Sequence, residues 1–297
     1  MNELFDVSQI KIGISGIIYF DKEMHMDNKV VTEKQDLMHL KWSHARNSSG
    51  TAGNFLKSQS TLGGEKIYYK LSNFDSEKGI IGHESVNEIV VDRLLDILKV
   101  PHLEYQLIYA DIEVDGTTYT TWVCASRDFK EKGESKVALD DYFIVNREEN
   151  ETHYEFCVRN GWREYIDTML VIDYLILNRD RHGANIEILR NARKRSIRIA
   201  PLFDHGLSLL CSCFSEKEIE DFDIAADKPC QNYIGSRSTL DNLKLVKNLN
   251  VFKGKLTESD KEILFANLEN AVSQSHMDKM WDMIWTRWKY YESICNL

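Results

Sequence analysis

The feature that most constrains the fold is a polar loop set directly behind a buried segment. Asn178–Leu189, NRDRHGANIEIL, follows the apolar run TMLVIDYLIL without a break. An aspartate, an arginine, a histidine and an asparagine fall within its first eight residues. NIEIL and IRIAPLF then read as a short hairpin around the basic turn RNARKRS, and PLFDHGLS follows. Asp180 and Asn185 are five residues apart, and Asp204 lies nineteen residues beyond Asn185, two before Gly206. The sequence is thus ordered as buried helix, polar loop, hairpin and D-x-G. Polar groups crowded at the end of a buried helix read either as a capped turn between helix and strand or as the floor of an active site.

Phosphoryl transfer requires a divalent cation on the phosphates, a basic group on the phosphate tail and an aspartate for the attacking hydroxyl. Magnesium takes oxygen ligands, usually one or two side chains completed by phosphate and water. The interval between Asp180 and Asn185 is that between the catalytic aspartate and the metal-binding asparagine of protein kinases. Asp204-His205-Gly206 stands in the place of their metal-binding D-x-G segment, with histidine where they carry phenylalanine. A plainer reading has Asp180 capping a turn, Asn185 holding a left-handed bend and Asp204 closing a strand. It accounts for each residue singly, but not for their order and spacing together.

A nucleotide site needs a second wall, and upstream residues offer one. NSSGTAGNFLK is a loop of small residues opening a strand, able to bring backbone N–H groups close to phosphates. NFLKSQS and KIYYKLS read as strands turning at LGGE, with Lys70 on the second. A strand lysine ordinarily reaches for solvent. Here the next helix, GHESVNEIVVDRLLDILKV, carries Glu84 and Glu88 on one face, and either can fix the lysine. Its Ile89, Val90, Leu94, Leu95 and Leu98 recur at helical spacing, and Pro101 lies just past its end. YQLIYADIEV and TYTTWVCAS read as two strands joined through Asp115-Gly116.

From about Asp128 the pattern turns helical. REYIDTMLVIDYLILN is apolar on most faces, as a central helix should be. A capping box from Thr257 to Asp260 is expected to open long amphipathic helices, in which Trp281, Trp285 and Trp288 repeat at core-packing spacing. The expectation is an α+β fold of two lobes. Residues 1–127 form a β-rich lobe holding the phosphate loop, lysine strand and glutamate helix, and residues 128–297 a mainly helical lobe whose polar loop faces it.

The net charge of −10 makes the chain a poor wrapper of DNA or RNA. RNARKRS has no interleaved aromatics and reads as a solvated hairpin tip. The amino terminus, MNELFDVSQIKIGISGIIYFDKE, lacks the features of a signal peptide. The longest apolar run, Met169–Leu177, is broken by Asp173 and is too short to span a bilayer. Six cysteines without a CxxC pair suit free thiols in a reducing cytoplasm, and Cys211 with Cys213 fall short of a metal site. No membrane or nucleic-acid partner is expected, and the cytoplasm is the expected location.

Together these segments, from about Ser48 to Leu209, resemble the HipA-like family of bacterial serine/threonine kinases in its short single-chain form. That fold is similar to phosphatidylinositol kinases as well as to protein kinases. GTAGNFLK with IYYKLS resembles the family's phosphate loop and lysine strand, so Ser49, Gly50, Thr51, Ala52 and Gly53 would cradle phosphate and Lys70 would bind it. VNEIVVDRLLDILKV is similar to its asparagine–glutamate helix, which points to Glu88 as partner of Lys70. WVCASRDF resembles the strand entering the hinge, where backbone of Cys124, Ala125 and Ser126 would hydrogen-bond adenine. DRHGAN and APLFDHG resemble the catalytic and metal-binding segments. The resemblance makes Asp180 the catalytic base and Asn185 and Asp204 the ligands of Mg2+, with ATP as cofactor. It places His182 where protein kinases have a lysine near the γ-phosphate.

It further implies a protein substrate, a toxin role with an antitoxin partner, and autophosphorylation at Ser48, Ser49 or Thr51 as a control. The family's full-length members have an additional amino-terminal subdomain, for which the residues ahead of this loop are too few. Two other functions use the same residues: a lipid or small-molecule kinase, since DRHxxN also spells the phosphoinositide-kinase loop, and a nucleotide-binding pseudokinase. Against the first, SEKEIEDFDIAADK after the D-x-G segment carries six acids and two lysines, and an acidic surface repels an inositol phosphate.

Overall fold

The computed structural model describes residues 29–43 and 55–295. It begins with β1 (Val30–Asp36), a mostly exposed strand at the sheet edge. β2 (Lys57–Leu62) and β3 (Glu65–Leu71) pair antiparallel around Gly63 and Gly64. Both glycines have positive φ, +59° and +87°, which a type I′ turn demands and most side chains resist. A small hairpin of β4 (Phe74–Asp75) and β5 (Gly79–Ile80) leads into α1 (Glu84–Leu98). β6 (Tyr105–Val114) and β7 (Thr117–Arg127) then pair along their length, turning at Asp115-Gly116. The five-stranded order is β1-β6-β7-β3-β2, with β1 parallel to β6.

Period-two alternation sorts this sheet's side chains between two cores. Leu107 and Cys124 face α1, whereas Ile67, Tyr69, Ile108, Ala110 and Ile112 pack with Leu37, Leu40 and Leu56 on the other face. α1 is buried nearly all round, so it touches more than the sheet. The core containing its Ile89, Val90 and Leu94 continues through Ile166 and Leu170 to Met280 and Ile284. The two lobes therefore share one hydrophobic cluster.

The second half opens with β8 (Glu134–Ala138), α2 (Leu139–Asn146), α3 (His153–Arg159) and α4 (Arg163–Leu175). β9 (Asp180–Arg181), β10 (Glu187–Asn191) and β11 (Ser196–Ile199) follow, with a 3-10 turn at Gly183–Asn185. α5 (Glu216–Glu220), β12 (Gln231–Asn232), α6 (Thr239–Asn242), α7 (Asp260–Phe265) and α8 (Gln274–Cys295) complete the described chain. The hairpin around RNARKRS forms as read, β10 to β11, but β8 joins it as a third strand.

The tail departs from the expectation of long helices. α7 has 6 residues, and α8, with 22, is the long one. At Thr257 the box is half made: the Asp260 carboxylate accepts from the Thr257 N–H (2.6 Å) and hydroxyl (2.7 Å), and α7 starts later. A complete capping box occurs instead at Thr152 and Glu155, heading α3. Trp281 and Trp288 are buried, and Trp281 stacks on Trp285 with ring centroids 5.4 Å apart. The cysteines are free thiols, five of the six buried. Among the described residues no helix is long and apolar enough to cross a membrane.

Candidate active site

α4 delivers the polar loop. The helix ends in a left-handed Leu177 (φ +51°), which turns the chain out of the core. A buried carboxylate near its end, Asp173, gathers the loop from below. It accepts from Asn178 Nδ2 (2.8 Å) and from Arg181 Nη2 (2.9 Å) and Nε (3.1 Å). Arg181 is wholly buried, and its Nη1 also donates to the carbonyls of Phe203 (2.9 Å) and Asn185 (3.3 Å). One guanidinium thus ties helix, loop and D-x-G strand together. Burial opposes its charge, but Asp173 holds its pKa above the ordinary arginine value.

The loop side chains are set by this frame. Asn178 Oδ1 accepts the Asp180 N–H (3.2 Å), and Asn185 Nδ2 donates to the Asp180 carbonyl (2.8 Å). With its nitrogen so fixed, Asn185 presents Oδ1, which no donor among the described residues takes. His182 Nε2 lies 3.7 Å from Asp180 Oδ2. The opposite edge of this turn is covered by β12, which runs parallel to β9 with Gln231 beside Asp180.

Across the cleft, Lys70 Nζ sits between two carboxylates, 3.1 Å from Glu88 Oε1 and 2.5 Å from Asp204 Oδ1. Burial alone would lower its pKa, but Asp204 and Glu88 raise it well above the usual lysine value, so the ammonium is held charged. Burial pushes Glu88 up, Lys70 pulls it down and Asp204 pushes it up again. Lys70 thus bridges the helix α1 and the D-x-G segment.

Glu84 takes no part in this pair: its Oε2 accepts the Asn73 N–H (3.0 Å). Glu88 does more than hold the lysine, since its Oε2 accepts the His205 N–H (2.8 Å). Asn87 donates to the carbonyls of Gly206 (2.9 Å) and Ser208 (3.0 Å). α1 lies so close here that a Cβ on Gly206 would stand 3.1 Å from Glu84 Cβ and 3.3 Å from Glu88 Oε1. The glycine is what lets helix and D-x-G segment meet. His205 is buried beneath, and burial with Arg181 nearby depresses its pKa, so the ring is neutral.

These groups open onto a cavity of about 1150 Å³. Lys70, Asn185 and Asp204 line one part of its wall, and Tyr68, Phe129 and Phe203 another. Asp180 and His182 stand outside that lining, toward β12. The residues expected to meet adenine lie within the sheet. Cys124, Ala125 and Ser126 pair on both sides, with β6 and with β3, so their peptide groups are enclosed in the sheet. Cys124 and Ser126 line the cavity, and Ala125 is absent from its wall. Cavity-facing chain beyond the ladder begins where β7 ends, at Phe129 and Lys130. The phosphate-loop residues Ser48, Ser49, Gly50, Thr51, Ala52 and Gly53 lie outside the described residues.

The sequence reading left Arg181, Asp173 and Tyr105 without roles. Tyr105 lines the cavity, and its hydroxyl oxygen accepts the Asp204 N–H (3.1 Å). The signal for Asp173 was present, as the acid that interrupts the apolar run Met169–Leu177. Nothing in the strand YQLIYADIEV marked its first residue.

No known family model matches the chain, and no curated protein matches it. Solved structures do. One is the Helicobacter pylori proinflammatory kinase CtkA, 16% identical, covering 88% of this chain and 97% of its own, with a TM-score of 0.57. Another is HipA of Shewanella oneidensis MR-1, solved in a toxin–antitoxin complex with HipB and operator DNA, 12% identical, covering 85% and 68%, with a TM-score of 0.47. The chain has the mixed α+β, kinase-like fold of CtkA, with a β-rich sheet carrying Lys70 and helices carrying the polar loop.

Proposed function

We propose that this chain is an ATP- and magnesium-dependent serine/threonine protein kinase of the HipA-like type. The observation that carries the reading is Lys70, held between Glu88 and Asp204 on the wall of a cavity that Asn185 shares. A fold similar to CtkA supports it. The donor set suits the ion: Asp204 offers a carboxylate and Asn185 an amide oxygen, both hard ligands. When bound, magnesium supplies charge neutralisation on the phosphate tail.

The residues of the chain do the rest. Lys70 donates to phosphate oxygens, and Glu88 keeps it aimed into the cleft. Asp180 receives the proton of the attacking hydroxyl, with His182 beside it toward the γ-phosphate. Arg181 keeps catalytic loop and D-x-G strand in register through the Asn185 and Phe203 carbonyls.

The acidic segment 215–228 supports a basic polypeptide acceptor, because it leads into β12, the strand alongside Asp180. A toxin role, an antitoxin partner and autophosphorylation at Ser48, Ser49 or Thr51 belong to the same proposal. Incubation with labelled ATP and magnesium, with the chain itself and a casein-like protein as acceptors, tests it. Transfer should fall at least about a hundredfold in Asp180→Asn, the scale of a lost general base. Equal transfer by the variant would overturn the assignment.

A further inference from the structure

Asp204 is held in a backbone conformation that side chains rarely adopt, with φ at +59°. A residue persists there when its surroundings fix it. Its carboxylate is anchored on Lys70, but its peptide N–H is anchored elsewhere, on the phenol oxygen of Tyr105 at 3.1 Å. Tyr105 is buried and opens β6, on the sheet rather than in the polar loop.

Tyr105 is itself tied down from behind. Its N–H donates to Asp92 Oδ1 (3.0 Å), one helical turn along α1 from Glu88. Asp92 is fixed in turn by the Lys29 ammonium and by His102 Nε2 at 3.2 Å. Lys29 also reaches Asp96 (2.5 Å), and His102 Nδ1 meets the Val100 carbonyl (2.7 Å). Lys29 and Asp92 are almost completely buried. A continuous set of bonds therefore runs from the residue before β1, through α1 and Tyr105, to the backbone of Asp204.

We propose that Tyr105 is a positioning residue for Asp204: its hydroxyl holds the left-handed peptide that aims the carboxylate at the cation, and the Lys29–Asp92 pair holds the tyrosine. The inference rests on Asp204 as a metal ligand. A buried tyrosine that only filled the core could give its hydroxyl to any partner. This one accepts the single N–H whose direction sets where the Asp204 carboxylate goes. Phenylalanine at 105 keeps the ring, removes the acceptor and frees the peptide to turn.

The test is Mn2+ affinity, read by electron paramagnetic resonance of full-length protein with the non-hydrolysable ATP analogue AMP-PNP. Tyr105→Phe should weaken Mn2+ binding about tenfold or more, as removal of a group that orients a metal ligand does. Metal-free AMP-PNP affinity, measured on the same samples, should fall by clearly less. Lys29→Met should weaken Mn2+ in the same direction, and the double variant should lose less than the two effects combined, because both act along one path. Unchanged Mn2+ affinity in Tyr105→Phe overturns the inference while leaving the kinase reading intact. Equal losses with and without metal make Tyr105 a structural residue and overturn it too. Wild-type protein that binds no Mn2+ with the nucleotide overturns the kinase reading itself.

Discussion

Replacing Asp173 by asparagine is the perturbation whose size the structure defines best. Asp173 and Arg181 are each about 2% exposed or less, and the guanidinium makes its charged bonds to this one carboxylate. Asp173→Asn leaves Arg181 buried without a counter-charge, and breaking such a pair from one side is destabilising by about 3–5 kcal/mol. The asparagine oxygen still accepts one bond, so the lower end, about 3 kcal/mol, is expected. With about 2.1 cal/mol/K of unfolding entropy per residue, that lowers Tm by roughly 5 °C for a chain of 297 residues. Arg181→Met should be similarly destabilising, because it strands the carboxylate.

The pair Asp173→Leu with Arg181→Met removes both charges and their desolvation, so it should recover at least about half of the summed single losses. It should not recover phosphate transfer, because the Asn185 and Phe203 carbonyls lose their shared donor. Urea unfolding measures the stabilities, and labelled-ATP transfer the activity. A loss under about 1 kcal/mol in Asp173→Asn would refute the reasoning, since such a value belongs to an exposed pair. So would a double variant as unstable as the two singles added.

Lys70→Met leaves Glu88 and Asp204 facing each other, and kcat/KM for ATP should fall at least about a hundredfold, the scale of a lost electrostatic donor in an active site. Burial works against a charged His102, but its bond to Asp92 raises the folded pKa above the ordinary value. Its stabilisation is therefore complete below about pH 6.5 and lost as pH rises through the folded value, so His102→Gln should flatten the alkaline side of a Tm–pH curve. His83 and His276 act with opposite sign, since burial lowers them to about 3 and about 4. Their stabilisation is present above about pH 6.5 and lost as pH falls toward those values, and His276→Gln should flatten the acid side. Gly254→Ala would put a Cβ 1.9 Å from the Ile97 carbonyl oxygen, a backbone atom at the end of α1. Thermal melting should show a loss of about 1–3 kcal/mol, the size of an overpacked contact.

Where the pattern was strongly periodic, the sequence could be read. α1, the β2–β3 and β6–β7 hairpins and α4 each carry either an apolar stripe or a turn with glycine. β1 could not be read, because VVTEKQD is an edge strand with one buried residue and gains its place only by pairing with β6. β8 is short and polar, and takes its conformation from β10. The order and spacing of Asp180, Asn185 and Asp204 could be read directly, and the fold brings Asn185 and Asp204 to one cavity. The roles of Arg181 and Tyr105 depend on which carbonyl or N–H lies opposite, and no local pattern records that. Nor does any local pattern tell Glu84 from Glu88; the bond from Lys70 to Glu88, with Glu84 turned to the Asn73 N–H, does.

The central claim is that Lys70, Asn185 and Asp204 form a site for a nucleoside triphosphate and its magnesium. Calorimetric titration of ATP into wild-type protein and Asp204→Asn, each with and without Mg2+, tests it most directly. Wild type should bind ATP more tightly with the ion than without, and the variant should lose that difference. ATP binding indifferent to both Mg2+ and Asp204, or no binding at all, would contradict the account.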